Sequence, residues 1–115
     1  MDIYDEIKAG AGTYVVIATY PVLDRENITV SSPVVTFTSA KVKPQVALAR
    51  VQVQVASIRV TEDGTDPAPA TPVGEVYQPL DIFEVWGNDA CKNFKAIREG
   101  ASDGKIEVTY LGARI

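Results

Sequence analysis

An alternation of side chains in the middle of the chain constrains the fold more than any other feature. Residues 51–56 read VQVQVA, and a period of two indicates a β-strand with its valines on a buried face and its glutamines in solvent. The alternation resumes with the opposite parity at Ile58 and Val60. Because a slip of one residue turns every later side chain to the other face, the sequence predicts a bulge or corner near Ala56 and Ser57.

Other short segments rich in β-branched and aromatic residues predict further strands. They are residues 13–20, 27–30, 34–39, 76–77, 80–86, 94–98 and 105–111. Turn signals recur roughly every 8–12 residues, which is typical of a sandwich or barrel. We therefore predict an all-β fold, a single antiparallel β-sandwich over residues 1–115 that is jelly-roll-like or immunoglobulin-like. The strands at 94–98 and 105–111 would form a closing hairpin, with Ile106, Val108 and Tyr110 facing the core.

Little helix is predicted, and the start of the chain is the main candidate. Ile3, Tyr4 and Ile7 would share one face of a short helix, or would belong to a flexible N-terminal arm over residues 1–11. Two glycines close to its end leave this arm too little apolar surface to hold itself in place. We expect the three apolar side chains to lie against a neighbouring subunit or on the flank of the sandwich.

Two connecting segments also have recognisable signals. Residues 88–93 (NDACKN) predict one helical turn capped by Asn88 or Asp89. Residues 64–74 (GTDPAPATPVG) contain three prolines and two glycines, which predict a rigid, exposed loop inside one domain.

Composition excludes several classes of function. The chain carries 15 acidic and 11 basic residues, a net charge of −4, whereas nucleic-acid binding requires a basic patch. Histidine is absent and cysteine occurs once, so a zinc site is not expected. We expect no secretion signal at the start, which carries Asp2, Asp5 and Glu6, and no apolar run reaches about 18 residues. We expect a protein that is made in a cytoplasm and that contacts neither nucleic acid nor membrane.

Two groups of side chains are candidates for metal binding or catalysis. Glu62, Asp63 and Asp66 could bind calcium, but the spacing of a helix-loop-helix calcium site is missing and a turn is the simpler interpretation. Cys91 lies beside Lys92, but no histidine is available as its base. We therefore predict no catalytic residue, no metal, no cofactor and no enzymatic activity.

The segment 80–87, LDIFEVWG, is apolar on both parities of a strand. Phe83 and Val85 share one face, and Leu80, Ile82 and Trp86 share the other. A strand at the surface of a lone sandwich needs only one apolar face. Either the N-terminal segment covers one end of this strand, or Ile82 and Trp86 meet another subunit, where tryptophan is an enriched anchor residue.

A series of motifs in the C-terminal part of the chain carries a family resemblance. The motifs are ARVQV at 49–53, IRV at 58–60, DGTDP at 63–67, VG at 73–74, FEV at 83–85, NFKAIREG at 93–100 and IEVTY at 106–110. The stretch 49–111 resembles a small β-sandwich module of the virion structural proteins of tailed bacteriophages. In such modules the positions matching Ile82 and Trp86 are often polar, which implies that these two side chains face outward here. The resemblance also implies an assembly role without enzymatic activity.

These observations predict a phage virion protein, most specifically a capsid decoration or cement protein on the outside of the head shell. Its partners would be the major capsid protein or neighbouring virion proteins, and it would form a homo-oligomer or occur in many copies. The predicted interface consists of Ile82, Trp86, Ile3, Tyr4 and Ile7. One alternative is a head–tail connector, tail or fibre-base component.

A rival from another class is a carbohydrate- or receptor-binding β-sandwich module. Such a module needs exposed aromatic side chains beside amide and acidic groups on one rim. Tyr77, Trp86, Asn88 and Asp89 are the candidates for that rim.

Overall fold

The computed structural model of the protein describes residues 20–112, which form two antiparallel sheets packed face to face. The elements are β1 (Val22–Val30), β2 (Val46–Gln54), β3 (Ile58–Thr61), β4 (Glu75–Tyr77), β5 (Ile82–Trp86), α1 (Asn88–Asn93), β6 (Lys95–Arg98) and β7 (Gly104–Gly112). One sheet has the order β1-β7-β2-β5 and the other has the order β4-β3-β6. The predicted all-β sandwich is confirmed. The predicted arm, with Ile3, Tyr4 and Ile7, and nearly all of the predicted strand 13–20 lie outside the described residues.

The predicted corner is confirmed, because β2 and β3 belong to different sheets. Between them the amide of Ala56 donates to the carbonyl oxygen of Gln54 over 2.9 Å. Val55 at the centre has a φ of 76°, so the chain turns within three residues, as in a γ-turn. The prediction that Val55 shares the buried face of Val51 and Val53 is wrong, because this turn swings its side chain into solvent.

The predicted closing hairpin is also wrong. β6 pairs with β3, whereas β7 lies between β1 and β2 in the other sheet. Residues 99–103 therefore cross from one sheet to the other. A turn signal in the sequence marks where the chain reverses direction, but it does not determine which strand the next segment pairs with. The predicted inward face of β7 is confirmed, since Ile106, Val108 and Tyr110 are fully buried.

The segment 34–39 is not the strand that its sequence predicts. Only Val35 forms a bridge, with reciprocal hydrogen bonds of 2.9 Å to Ala96. Instead, the segment places the ring of Phe37 in the core, where it stacks on Phe94 with 4.0 Å between the ring centroids. The Glu26 carboxylate holds it there by accepting from the amide and hydroxyl of Thr38.

The cap predicted for α1 is wrong, because Gly87 takes the N-cap position without any side-chain hydrogen bond. The Asn88 amide instead donates to the carbonyl oxygens of Lys43 (2.8 Å) and Val46 (3.0 Å). These two hydrogen bonds hold the loop before β2 in place. The Asn88 side chain is therefore not used to cap α1.

Aromatic rings form the centre of the core. Phe94 lies between Phe37 and Phe83, whose ring centroids are 4.0 and 6.3 Å away. Tyr77 stacks on the other side of Phe83 at 4.0 Å. Tyr110 meets the edge of Phe37 at 5.5 Å and donates its hydroxyl hydrogen to Glu26. The rings thus connect both sheets with the segment before β2, and offset or edge-on ring pairs of this kind add to the stability that burial provides.

Candidate functional site

The outer face of β5 is the apolar surface that the sequence singled out. Phe83 and Val85 are buried in the core, whereas Ile82 is 62% exposed and Trp86 is 45% exposed. Ile82 and Trp86 therefore point outward as predicted, because successive side chains of a pleated strand point to opposite faces. Their role in an interface stays a prediction.

A tight turn sets the start of β5. The amide of Asp81 donates to the carbonyl oxygen of Gln78 over 3.0 Å, and the Asp81 carboxylate accepts from the Gln78 amide over 2.8 Å. Leu80 lies in this turn with a φ of 77° and is 76% exposed. Its amide donates to the carbonyl oxygen of Val53 over 2.7 Å, so the turn is tied directly to β2.

Trp86, at the other end of β5, has contacts within its own chain. The Tyr20 ring meets its ring edge-on, with 5.8 Å between centroids. Its indole N–H donates to the Glu84 carboxylate over 3.1 Å. The strand register places Trp86 opposite Leu48, and Leu48 opposite Leu111. Leu48 and Leu111 are both buried although they lie outside the central core cluster, so this end of the outer face is an apolar layer of its own.

The other end of the outer face of β5, near Leu80, is more exposed to solvent than the end at Trp86. In the register, Gln52 lies opposite Ile82, and Val55 follows the last residue of β2. Val55 is 71% exposed. The sequence analysis missed Val55, although the change of parity after residue 55 was the signal that could have identified it.

Of the three acidic side chains considered as calcium ligands, Asp63 and Asp66 have separate partners. Asp63 accepts the Thr65 amide over 3.0 Å, and Asp66 forms an ion pair of 2.8 Å with Lys95. Glu62 lies in an open groove of about 540 Å³ between the 64–74 loop, β3 and Ala90 of α1. Across residues 20–112 no group of three such side chains has the spacing of a metal site.

The Glu62 groove has no charged group of the opposite sign on its lining. Partial burial, followed by the negative charge of Glu75, raises the pKa of the Glu62 carboxyl. Glu75 itself accepts the Tyr77 hydroxyl over 3.0 Å. The lining of the groove therefore carries acidic side chains and no basic one.

Cys91 is enclosed by the core rather than presented to solvent. Its side chain is buried, and its Sγ lies 3.4 Å from the carbonyl oxygen of Val85. Burial, with a smaller contribution from the Glu62 charge, raises the pKa of the thiol to about 11. A thiol with such a pKa stays protonated at neutral pH and is a poor nucleophile.

The raised pKa of Cys91 predicts a dependence of stability on pH. The unfolded chain ionises its thiol near the ordinary pKa of 9.0, whereas the folded chain resists ionisation up to about 11. The stability associated with this difference is complete below pH 9 and is lost as the pH rises towards 11. Denaturant unfolding at about pH 8 and pH 10.5 should show a larger loss in the parent than in Cys91→Ala. Equal losses in the two proteins would contradict the raised pKa.

The structure does not bring together Tyr77 and Trp86, the two aromatic residues of the predicted ligand-binding rim, and Asp89 lies exposed in the first turn of α1. Tyr77 stacks on the inward-facing ring of Phe83, whereas Trp86 lies on the outward side of the same sheet. The Asn88 amide is engaged by two backbone carbonyls. Tyr77, Trp86 and Asn88 therefore do not form one exposed aromatic surface with available polar groups beside it.

Comparison of the chain with protein-family models, with curated proteins and with solved structures finds no match. Over the described part of the chain, no helix has the length and apolar character needed to cross a membrane.

Proposed function

We propose that this domain is a structural protein of a tailed-phage virion, most specifically a decoration or cement protein that binds the outside of the head shell and stabilises it. The observation that carries the proposal is a stripe of exposed apolar side chains, Leu80 just before β5 with Ile82 and Trp86 on its outer face. Glu84 interrupts this stripe between Ile82 and Trp86, and it accepts the indole N–H of Trp86. The motifs between residues 49 and 111, which resemble virion modules, give that stripe its context.

The proposed mechanism is adhesion through a small apolar surface. Burying exposed aliphatic area stabilises a contact by roughly 25 cal/mol per Å². One such contact is weak, but many copies on a symmetric lattice bind with the combined strength of all their contacts. The net charge of −4 suits the exterior of a particle better than a surface facing packaged DNA.

The same stripe would serve a connector, tail or fibre-base component, which remains the alternative within this class. The partners in either case would be the major capsid protein or neighbouring virion proteins. Ile3, Tyr4 and Ile7 belong to the proposed interface as well, although they lie outside the described residues. The carbohydrate-binding rival is less favoured, because Tyr77 packs on a core ring, Trp86 faces outward, and the Asn88 amide is bonded to backbone carbonyls.

The proposal predicts that an acidic residue on the stripe detaches the protein from particles without unfolding it. Ile82→Asp places a charge on a side chain that is 62% exposed, so the fold should tolerate it while docking buries an unpaired carboxylate. We expect the affinity for purified heads to fall about thirtyfold or more, as for an anchor residue worth about 2 kcal/mol. Quantitative mass spectrometry of copy number on heads incubated with each variant measures this.

The matched control is Val76→Asp. Val76 is 42% exposed on β4, in the other sheet, so it tests the general effect of an added charge. Trp86→Ala is a second variant, for which we also expect a modest loss of stability because the Tyr20 contact disappears. If parent protein and Ile82→Asp bound heads equally, or if neither bound, the proposed function would be rejected.

A further inference from the structure

A cavity of about 240 Å³ lies between the segment before β2 and the end of α1. Phe37 and Val42 are only 3% and 6% exposed, so they line its inner part with apolar surface. Thr36, Ser39 and Lys92 are exposed and complete the lining at its mouth. The cavity is therefore apolar inside and polar at the opening, which is the usual arrangement of a small-molecule site.

The walls of this cavity are held in place without a ligand. The Val42 amide donates to the carbonyl oxygens of Thr38 and Ser39 over 3.3 and 3.2 Å, which closes a turn along one wall. The Phe37 ring is stacked within the aromatic core. The Asn88 amide ties the following part of the same loop to α1, the helix that carries the other wall. A cavity that is formed in advance spares a ligand the cost of ordering its walls.

Lys92 places an unpaired positive charge at the mouth of the cavity. Its ammonium group has no hydrogen bond or ion pair within residues 20–112, and no acidic side chain lines the cavity. In contrast, Lys41 and Lys95 are paired with Asp24 and Asp66 at 3.0 and 2.8 Å. An unpaired lysine is ordinary on a surface, but one at the mouth of a preformed apolar cavity can bind an anion whose other end is buried.

The size and the lining of the cavity limit the chemistry of a ligand. A volume of about 240 Å³ is below the roughly 300–1,000 Å³ of pockets for drug-sized molecules, so only a small group fits. A phosphate would leave charged oxygens against Phe37 and Val42 without hydrogen-bond donors, which is costly. An aliphatic group is buried favourably there, and a carboxylate attached to it would lie at the mouth beside Lys92.

We propose that this cavity binds a carboxylate that carries a short branched aliphatic group. Lys92 pairs with the carboxylate, the hydroxyls of Thr36 and Ser39 donate to it, and the aliphatic group contacts Phe37 and Val42. The C-terminal residue of a partner chain has this chemistry when it is leucine, isoleucine or valine, and so does a free branched-chain acid. No residue of the outer face of β5 lines the cavity, so the inference stands apart from the proposed function.

Nuclear magnetic resonance titrations of the isotope-labelled full chain at constant ionic strength test the site. N-acetyl-leucine represents a chain terminus, and isocaproate represents a free acid. We expect at least one of them to shift the amide signals of residues 36–42 and of Lys92 with a Kd of about 0.1–10 mM. Tighter binding of N-acetyl-leucine identifies a chain terminus as the source of the carboxylate, and tighter binding of isocaproate identifies a free acid. Equal binding supports the chemistry that the two share.

Two control ligands separate the two halves of this chemistry. N-acetyl-leucine amide lacks the carboxylate and acetate lacks the aliphatic group, so each should bind about tenfold more weakly or worse than the better ligand. Binding of either control as tightly as the better ligand would overturn the proposal. So would the absence of shifts at these amide signals with N-acetyl-leucine and isocaproate up to about 50 mM.

Three variants assign the binding to the cavity. Lys92→Met removes the charge and keeps an apolar stem, so we expect about tenfold weaker binding or worse. Ser39→Leu places a larger side chain at the mouth and should abolish binding. Lys43→Met is the matched control, because Lys43 is an exposed lysine of the same loop that lies outside the lining, and it should bind like the parent. Melting temperatures within about 2 °C of the parent verify that each variant is folded. Parent-like binding by Lys92→Met would refute the proposal.

Discussion

Replacing Phe94 with alanine should lower the free energy of unfolding by about 3–5 kcal/mol, the range for truncating a large aromatic residue in a core. Phe94 is fully buried between Phe37 and Phe83. Its removal leaves a cavity where the segment before β2 meets both sheets, and it deletes a stacked ring pair worth about 1 kcal/mol beyond burial. Urea unfolding followed by the fluorescence of Trp86, the single tryptophan, measures the loss.

Val76→Ala is the control for this experiment, because Val76 is partly exposed on an edge strand. Surface changes of this kind usually stay within about 0.5 kcal/mol. A loss at Phe94 no larger than the loss at Val76 would mean that the rings do not form a packed core. The outward direction of β5 would then lose its physical basis, since it depends on Phe83 being held by the same rings.

Sequence periodicity predicted the inward-facing side chains of β5 and β7, because one-sided burial enforces a period of two. It did not predict that residues of the opposite parity are buried as well, such as Thr109 and Leu111 of β7 and Arg59 of β3. It failed where the chain changes sheet. Val55, at the end of such an alternation, was assigned to the buried face and is exposed. The residues after β6 contained a hairpin signal, but the nine-residue β7 finds a longer partner in β2 than the four-residue β6 could provide.

The apolar layer around Trp86 depends on contacts that no local pattern encodes. Leu48 is far from Trp86 in the sequence but lies opposite it because β2 pairs with β5. The ring of Tyr20, which precedes β1, also reaches Trp86 although β1 and β5 lie at opposite edges of the sheet. The sequence therefore predicted that Trp86 faces outward but not that part of its ring is covered. This is why the candidate docking surface moves towards Ile82 and Leu80, where the exposed fractions are larger.

The motifs that carry the resemblance to virion modules interact with one another in the structure. Arg59, from the IRV motif, donates two hydrogen bonds to the Glu99 carboxylate, 2.8 and 2.9 Å long, and a third of 3.0 Å to the Gly74 carbonyl oxygen. Lys95, from the NFKAIREG motif, pairs with Asp66 of the DGTDP motif. These residues hold the 64–74 loop to the three-stranded sheet. Their physical role is to specify the fold, and the proposed docking surface lies on the opposite sheet.

Gly104→Ala should destabilise the domain by about 1–3 kcal/mol, as expected when a group is forced into a packed site. A Cβ atom at position 104 would lie 2.7 Å from the carbonyl oxygen of Ala56 and 2.8 Å from Cγ2 of Ile58. The first contact is with the backbone of the corner between β2 and β3, so neither a rotamer change nor a small side-chain shift relieves it. Denaturant unfolding measures the loss.

Gly100→Ala provides the matched control, since a Cβ at that position meets nothing within 4 Å. It should leave stability unchanged or raise it by up to about 1 kcal/mol, because alanine restricts the unfolded chain more than glycine does. β7 at Gly104 supports the corner that turns Val55 outward. A Gly104→Ala protein as stable as Gly100→Ala would show that the corner is loosely packed and that the exposure of Val55 is not enforced by the fold.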